Sequence, residues 1–208
     1  NVRAQNHELA MTKDIRICFV GDSFVNGTGD EMALGWAGRL CATAHTRGIP
    51  VTYYNLGVRR NTSKDILQRW EVECALRLPD ACDGRIVFSF GVNDTVMENG
   101  LVRVCPEESC RNVREILRGA KKYKILMFGP PPVGEDEQNE KIMALSQAFA
   151  QEAKALGVPY IDFFAPLASD AEYMREVSSN DGSHPRSGGY KKMAHIVLSS
   201  PSWWFHAP

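Results

Sequence analysis

The first apolar run of the chain reads Ile15-Arg16-Ile17-Cys18-Phe19-Val20, and Gly21-Asp22-Ser23-Phe24 follows it directly. A short run of β-branched and aromatic residues that ends in a glycine and two polar residues is typical of a buried strand followed by a tight turn. A serine at a turn from strand to helix can expose its hydroxyl and aim its own N–H at the same point. This stretch therefore predicts a strand with a candidate nucleophile, Ser23, at its end.

The same kind of run returns four times along the chain. The further strand candidates are residues 51–56, 86–90, 124–128 and 160–164, and longer amphipathic segments lie between and after them, at 36–47, 62–78, 107–122, 137–156 and 188–198. This alternation is typical of βαβ units, which build a parallel sheet with helices on its faces. We therefore predict an α/β fold with a five-stranded, mostly parallel sheet.

Length, composition and charge exclude several classes of protein. The 208 residues suit one domain, and the proportions of hydrophobic (44%) and charged residues (24%) exclude disordered, collagen-like and coiled-coil chains. The 24 Lys and Arg residues nearly balance the 25 Asp and Glu residues, so bulk charge indicates no nucleic-acid partner. No apolar run approaches the roughly 20 residues of a membrane-spanning helix. We predict one soluble domain over residues 13–208 and a flexible polar extension over residues 1–12.

The six cysteines are spaced singly, and no Cys-x-x-Cys pair is present to bind zinc or exchange disulfides. This pattern predicts reduced, mostly buried thiols and favours a cytoplasmic location. The chain begins at Asn1 and not at Met, so secretion after removal of a signal peptide stays open.

Four polar clusters follow the predicted strands or precede the last helix. They read Gly21-Asp22-Ser23-Phe24, Asn55-Leu56-Gly57, Gly91-Val92-Asn93-Asp94 and Asp181-Gly182-Ser183-His184-Pro185. Sheets of this kind bind ligands beyond the carboxyl ends of their strands. We therefore expect the four clusters to meet at one edge of the sheet.

Acyl transfer requires a nucleophile, a general base, a carboxylate that orients the base, and donors for the oxyanion. Ser23 is the candidate nucleophile, His184 the base and Asp181, three residues earlier, its orienting carboxylate. The Ser23 N–H, the Gly57 N–H and the Asn93 side-chain amide are candidate oxyanion donors. A glycine suits this role because no Cβ keeps substrate away from its N–H.

Taken in order, these clusters resemble the sequence blocks of the GDSL-type esterases and lipases of the SGNH hydrolase superfamily. The resemblance extends over residues 15–198, with Ser23, Gly57, Asn93 and His184 in the four positions that name the superfamily. It implies a three-layer α/β/α sandwich of flavodoxin-like type, and hydrolysis of a small-molecule ester, thioester or acetyl bond through an acyl-enzyme. It implies no cofactor, and we expect no metal. An O-deacetylase of carbohydrates or other small molecules is the alternative within the family.

Two positions depart from the family pattern. Phe24 stands where leucine is common, and Val58-Arg59-Arg60 follows Gly57 where the family often has a second glycine before a serine or threonine. Arg59 and Arg60 are therefore candidate substrate-binding residues for an anionic group. The alternative is that both point to solvent and pair with acidic neighbours.

Three other functions compete with this one. A phosphate-binding or nucleotide-binding module would use the glycines after the first strand, but residues 21–28 lack the Gly-Lys-Ser/Thr ending of a P-loop. A metal-assisted hydrolase would use Asp22, Asp181 and His184 as ligands. A non-catalytic interaction protein would be expected to lack a triad member or an oxyanion donor, and none is missing.

Asp94 and the aromatic residues near the C-terminus are predicted to have structural roles. We expect Asp94 to cap a helix. We expect Trp203-Trp204-Phe205 to pack on the domain or on a second subunit, which leaves a homo-oligomer open, and a flap over the active site is the alternative.

Overall fold

The strand that carries the Gly21-Asp22-Ser23 turn lies inside the sheet, with a parallel neighbour on each side. The computed structural model describes residues 14–205. Its strands are β1 (Ile15–Gly21), β2 (Val51–Gly57), β3 (Asp83–Ser89), β4 (Met97–Glu98), β5 (Leu101–Val102), β6 (Lys124–Phe128) and β7 (Tyr160–Ile161). Five of them form one parallel sheet in the order β2-β1-β3-β6-β7, which is the flavodoxin-like order. The short strands β4 and β5 pair separately as an antiparallel hairpin.

Helices connect the strands and cover both faces of the sheet. They are α1 (Ser23–Asn26), α2 (Gly35–Thr46), α3 (Ser63–Ala75), α4 (Pro106–Gly119), α5 (Asp136–Ala155), α6 (Phe164–Ala168), α7 (Ala171–Ser179) and α8 (Ser187–Leu198), with short 3-10 turns at Val92–Thr95 and Ala120–Lys122. The predicted three-layer α/β/α architecture is confirmed, and all five strands of the main sheet are parallel.

Each face of the sheet has its own hydrophobic core. Ile17 and Phe19 of β1 pack with α2, α7 and α8 on one face, whereas Cys18 and Val20 pack with α3, α4 and α5 on the other. Successive side chains of a strand point to opposite faces, so a strand covered on both faces is apolar at every position. This is why residues 17–20 form a continuous apolar run.

The last strand is shorter than the sequence predicts. We expected it to extend to residue 164, but β7 ends at Ile161. The Asp162 carboxylate accepts hydrogen bonds from the N–H groups of Phe164 and Ala165, and these bonds start α6. The β4–β5 hairpin, α1, α6 and α7 were also not predicted, because such short elements carry too few residues for a periodic pattern.

The C-terminal aromatic cluster packs on the core and does not cover the Ser23 edge. Trp203 is buried in the same core as Trp36. The Arg85 guanidinium lies 5.2 Å from the Trp204 ring centroid and 4.8 Å from that of Phe205. Arg85 lies in the amino-terminal half of β3, whereas Ser23 follows the carboxyl end of β1. The cluster therefore packs on the domain as expected, and the flap alternative is wrong.

Other expectations concern the thiols, the membrane and the N-terminus. All six cysteines are free thiols, but only Cys18, Cys41 and Cys74 are buried, so the expectation of mostly buried thiols holds for half of them. Within residues 14–205, no helix combines the length and apolarity needed to cross a membrane. The expected flexible extension at residues 1–12 lies outside the described residues, so it stays a prediction.

Candidate active site

Ser23 is the first residue of α1, immediately beyond the carboxyl end of β1. The preceding residue, Asp22, is the N-cap, and its Oδ1 accepts a hydrogen bond from the Phe24 N–H at 3.0 Å. Gly21 allows this turn to approach β3, since a Cβ there would lie 1.9 Å from the Ser89 carbonyl oxygen. The local sequence therefore places Ser23 at the amino end of α1, where its own backbone N–H has no partner within the helix.

Ser23, His184 and Asp181 form a continuous hydrogen-bonded chain. Ser23 Oγ lies 2.7 Å from His184 Nε2, and His184 Nδ1 lies 2.7 Å from Asp181 Oδ2. The Phe24 ring packs against the imidazole with a centroid distance of 4.8 Å. The structure thus brings together the three residues that the sequence analysis selected for nucleophile, base and orienting carboxylate.

The Asp181 carboxylate is held in its ionised form. Burial alone would raise its pKa, but hydrogen bonds from the His184 backbone N–H, the His184 ring and the Ser183 N–H outweigh burial and lower the pKa to about 2. The Oδ1 atom accepts both backbone N–H groups, at 2.7 and 2.9 Å, which leaves Oδ2 for the imidazole. An anion at this position keeps a proton on Nδ1 and leaves Nε2 able to accept the serine proton.

The loop that carries Asp181 and His184 is fixed by backbone bonds. Gly182 adopts a positive φ of 78°, and its carbonyl accepts a hydrogen bond from the Gly134 N–H at 2.7 Å. The Asn180 side-chain amide donates to the His184 carbonyl at 3.0 Å. The base therefore lies on a loop that is tied to a second loop, after β6.

Gly57 ends β2 in register with Gly21, next to α1. A Cβ at Gly57 would lie 2.2 Å from the Asn26 nitrogen and 2.7 Å from the Asp22 carbonyl oxygen. The glycine is therefore needed first for packing against α1. Its N–H donates to Asn55 Oδ1 at 3.0 Å, a partner that sequence reasoning had not assigned.

The Asn93 amide bridges two loops at the same edge of the sheet. Asn93 lies in the 3-10 turn after Gly91, whose φ is 131°. Its Nδ2 donates to the Asn61 carbonyl at 3.1 Å and to Asp22 Oδ2 at 3.3 Å. Its amide therefore lies beside the residue that precedes the nucleophile.

Asp94 connects the Asn93 turn to two helices. Its buried carboxylate accepts hydrogen bonds from the Ser63 N–H at 2.7 Å and from the Ser109 hydroxyl at 2.6 Å. Burial raises the pKa of Asp94 even though both bonds act to lower it. The expectation that Asp94 is a helix N-cap is wrong: the N-cap of α3 is Thr62, and Asp94 binds the first N–H of that helix from a turn that follows it in the chain.

Asp22 is a residue of this site to which the sequence assigned a role only in the metal-assisted alternative. Its carboxylate is buried and accepts hydrogen bonds from Phe24 and Asn93. Burial raises its pKa to about 7, against the lowering effect of the Phe24 N–H. Its position between a buried strand and the candidate nucleophile was the sequence feature that could have predicted a buried carboxylate at this site.

Arg59 and Arg60, which follow Gly57 closely in the chain, differ in their partners. Arg60, whose φ is +66°, pairs with Glu98 at 2.8 Å, and Arg103 reaches both Glu98 and the Arg60 carbonyl. Arg59 is exposed, and no ion pair or side-chain hydrogen bond joins it to any residue between 14 and 205. Pairing with an acidic neighbour therefore describes Arg60 and not Arg59.

The described residues contain no cluster of three or more His, Cys, Asp or Glu side chains arranged to hold a metal ion. Asp22 and Asp181, two of the ligands of the metal-assisted alternative, instead have the protein donors described above.

Comparison with known proteins assigns the family. The GDSL-like Lipase/Acylhydrolase family matches residues 19–192, which is most of the chain. The chain belongs to this family. Membership makes the protein a hydrolase that acts on ester bonds.

Several solved structures share the fold of this GDSL-like hydrolase. The lipase/acylhydrolase from Enterococcus faecalis is 20% identical, with a TM-score of 0.73 over 88% of this chain and 93% of the other. Axe2, an acetylxylan esterase from Geobacillus stearothermophilus, is 19% identical, with a TM-score of 0.74 over 94% and 97%. The esterase EstA from Pseudoalteromonas sp. is 17% identical, with a TM-score of 0.69 over 92% and 98%. Among curated protein sequences, none matches significantly.

Proposed function

We propose that this GDSL-like hydrolase is a serine esterase in which Ser23 is the nucleophile, His184 the general base and Asp181 its orienting carboxylate. The observation that carries the proposal is the pair of 2.7 Å hydrogen bonds from Ser23 to His184 and from His184 to Asp181. The distance from Ser23 Oγ to His184 Nε2 is short enough for the serine proton to pass to the imidazole.

The reaction follows from the positions of these atoms. Ser23 Oγ attacks the ester carbonyl carbon while its proton moves to His184 Nε2, and the carbonyl oxygen becomes an oxyanion. Collapse of the tetrahedral intermediate breaks the bond to the leaving alcohol, which takes the proton from Nε2 and leaves an acyl-Ser23 ester. Water then repeats the sequence, with its proton passing to His184, and releases the acid and the free serine.

Three donors would stabilise the oxyanion. The Ser23 N–H lies at the start of α1. The Gly57 N–H lies at the carboxyl end of β2, and the Asn93 amide lies in the 3-10 turn that follows β3. Gly57 would exchange its bond to Asn55 Oδ1, and Asn93 its bond to the Asn61 carbonyl, for the charged oxygen, while Asn93 keeps its bond to Asp22. A hydrogen bond to an anion is stronger than one to a neutral acceptor, which favours both exchanges in the transition state.

The acyl group and leaving group allow two candidates. Cleavage of a small-molecule ester or thioester bond is the first. The similarity to an acetylxylan esterase, at a TM-score of 0.74, supports O-deacetylation of a carbohydrate as the second. Hydrolysis of acetylated xylooligosaccharides compared with p-nitrophenyl esters of increasing chain length distinguishes them.

We further propose that Arg59 binds an anionic group of the substrate. It follows Gly57 by two residues, so its backbone lies within about 7 Å of the proposed oxyanion donor. Both arginines are exposed, but Arg60 is paired with Glu98, whereas Arg59 forms no ion pair or side-chain hydrogen bond with any residue between 14 and 205. A free guanidinium can bind both oxygens of a carboxylate, or two of a phosphate.

The decisive experiment combines turnover with active-site labelling. Ser23→Ala and His184→Ala should each lower kcat for p-nitrophenyl acetate by about 10⁴-fold, because the members of a triad act as a unit. A serine-directed organophosphate should label the wild-type protein at Ser23, and EDTA should leave turnover unchanged. Wild-type turnover by Ser23→Ala would contradict the proposal, and loss of turnover in EDTA would favour the metal-assisted alternative.

The cytoplasmic location and a homo-oligomeric state stay predictions. The six free thiols support a reducing compartment.

A further inference from the structure

The Asp22 carboxylate lies next to the nucleophile but outside the Ser23–His184–Asp181 chain. Its two oxygens have different partners. Oδ1 accepts from the Phe24 N–H at 3.0 Å, and Oδ2 accepts from Asn93 Nδ2 at 3.3 Å. One oxygen therefore caps α1, and the other holds a proposed oxyanion donor.

The cap by itself does not require a carboxylate. Serine and asparagine are equally good N-cap residues and carry no charge, whereas a buried carboxylate is costly. The side chain of Asp22 is nevertheless buried. The second oxygen, which a serine lacks and which an asparagine replaces with an N–H donor, distinguishes aspartate from these alternatives.

The amide of Asn93 depends on this second oxygen for its orientation. Nδ2 carries two hydrogens, and its acceptors are Asp22 Oδ2 and the Asn61 carbonyl. One acceptor alone leaves the amide free to turn about its terminal torsion, for which the energy wells are broad. Two acceptors on separate loops fix its plane beside Ser23.

The charged and titratable groups around Asp22 come from three other elements. Asp94 in the turn after β3 and Tyr190 of α8 interact electrostatically with it, and Arg69 of α3 donates to the Gly21 carbonyl at 2.9 Å. His184 is hydrogen-bonded to Ser23, the residue that follows Asp22 in the chain. Burial raises the pKa of Asp22 to about 7, so above neutral pH its ionised form, with both oxygens free to accept, predominates.

We propose that Asp22 is a positioning residue, whose carboxylate holds the Asn93 amide in the orientation from which it donates to the oxyanion. The inference rests on the proposed serine-esterase function. It assigns to Asp22 a role exerted through Asn93, since Asp22 itself touches no reacting atom.

A double-mutant cycle tests the inference. The variants are Asp22→Asn, Asn93→Ala and the double variant, with kcat and KM measured for p-nitrophenyl acetate at pH 8. Asp22→Asn keeps a capping oxygen for the Phe24 N–H but presents an N–H donor to the amide of Asn93. Asp162→Asn is the matched control, because Asp162 also caps a short helix after a strand and is not bonded to Asn93.

We expect Asp22→Asn to lower kcat by about 10- to 100-fold, to change KM less than about twofold, and to have an effect below about threefold in the Asn93→Ala background. Asp162→Asn should leave both constants unchanged. An equal loss of kcat in both backgrounds, or an unchanged kcat, would overturn the inference. If Ser23→Ala is inactive while Asp22→Asn is fully active, only the inference fails; if Ser23→Ala stays active, the proposed function fails with it.

A second measurement does not depend on the folding of the Asp22 variants. The protonated carboxyl of Asp22 gives an infrared C=O band whose intensity follows its titration, and Asn93→Ala removes a hydrogen bond that stabilises the ionised form. We expect the titration midpoint to rise in Asn93→Ala and to stay unchanged in Asp162→Asn. An identical midpoint in the wild-type protein and Asn93→Ala would overturn the inference. Asp22→Ser, which keeps the cap and loses the second oxygen, should reproduce the kinetic effect of Asp22→Asn.

Discussion

At the scale of single residues, two aspartates of the same edge have opposite electrostatics. Asp181 accepts three hydrogen bonds, and its pKa falls to about 2. Asp22 is buried, and its pKa rises to about 7. The first carboxylate is ionised at every pH at which the enzyme would work, whereas the second changes its charge near neutrality. The number of donors and the degree of burial explain the difference between them.

The raised pKa of Asp22 predicts a specific dependence of stability on pH. The native state binds the Asp22 proton more tightly than the unfolded chain, whose value is 3.8, so ionisation destabilises the fold as pH rises from about 4 to 7. The full penalty, about 4 kcal/mol at pH 8, is absent from Asp22→Asn, which loses about 1–2 kcal/mol of hydrogen bonding instead. We therefore expect Asp22→Asn to be more stable than the wild-type protein by roughly 2 kcal/mol at pH 8.

Urea denaturation from pH 4 to pH 8 measures this difference. At pH 4 the two proteins should lie within about 1 kcal/mol of each other, since the wild-type carboxyl is then protonated. Asp181→Asn is the opposite control, because the lowered pKa of Asp181 stabilises the fold above about pH 4 and this gain is lost towards pH 2. A wild-type protein more stable than Asp22→Asn at pH 8 would contradict the prediction.

At the scale of secondary-structure elements, the site lies where short connections contact each other. α1 packs against the end of β2 at Gly57, and the β4–β5 hairpin returns through Glu98 to the loop that contains Arg60. Asp94, in the 3-10 turn after β3, links that turn to α3 and α4 through hydrogen bonds. The position of each functional group therefore depends on contacts between elements as well as on its own strand.

Gly57→Ala is expected to displace α1. The new methyl group would lie 2.2 Å from the Asn26 nitrogen, so the backbone that carries Ser23 must shift. Overpacking of this kind costs about 1–3 kcal/mol, and kcat should fall in parallel. Thermal unfolding and p-nitrophenyl acetate hydrolysis measure both effects. Gly38→Ala is the control, because the atoms nearest its methyl group would be side-chain atoms of Leu34 and Tyr53, at 3.3–3.4 Å. An unchanged melting temperature in Gly57→Ala would refute the prediction.

Arg59→Ala and Arg60→Ala form a matched pair on one loop. Arg59→Ala should lower kcat/KM for an ester with a carboxylate group by about 1–3 kcal/mol, equivalent to roughly 5- to 150-fold, and leave a neutral ester of the same size unchanged. The preference for the anionic ester should shrink as salt is added. Arg60→Ala, which breaks the Glu98 pair, should affect both esters equally. Equal effects of Arg59→Ala on the two esters would eliminate the anionic-substrate proposal.

At the scale of the whole molecule, the candidate active site and the C-terminal aromatic cluster lie at opposite edges of the sheet. Ser23 follows the carboxyl end of β1, and Trp204 and Phe205 stack on Arg85 near the amino end of β3. Arg47, just beyond α2, donates to the Phe205 carbonyl at 2.9 Å. The C-terminal segment thus packs in the same core as α2 and α8, away from the candidate active site.

Trp203→Ala should therefore separate stability from catalysis. Trp203 is buried in the core with Trp36, and truncating a buried tryptophan costs about 3–5 kcal/mol. We expect a marked fall in the urea midpoint and an unchanged kcat at temperatures where the variant stays folded. A fall in kcat for the folded variant would show that the two edges are coupled.

Much of the fold and the positions of the site residues could be predicted from the sequence. β1, β2, β3 and β6 are continuous or alternating apolar runs, and their parallel arrangement places the polar residues that follow them at one edge. Such elements can be predicted because buried side chains recur at the spacing of a strand or a helix. This apolar pattern is visible in the sequence without knowledge of which element packs against it. The same placement predicts that Ser23 and the Asp181–His184 loop meet at this edge, whereas their roles follow from the chemistry of acyl transfer and from the resemblance to the GDSL-type family.

Only the tertiary structure decided which polar groups are partners. Asn93 and Asp22 are 71 residues apart, and Asp94 accepts a hydrogen bond from Ser63, which lies 31 residues before it. Glu98 pairs with Arg60 and not with Arg59, although the two arginines are adjacent and both are exposed. A polar side chain follows no periodic pattern, and its partner depends on where distant loops converge. These pairings therefore emerge only when the sheet brings the loops together.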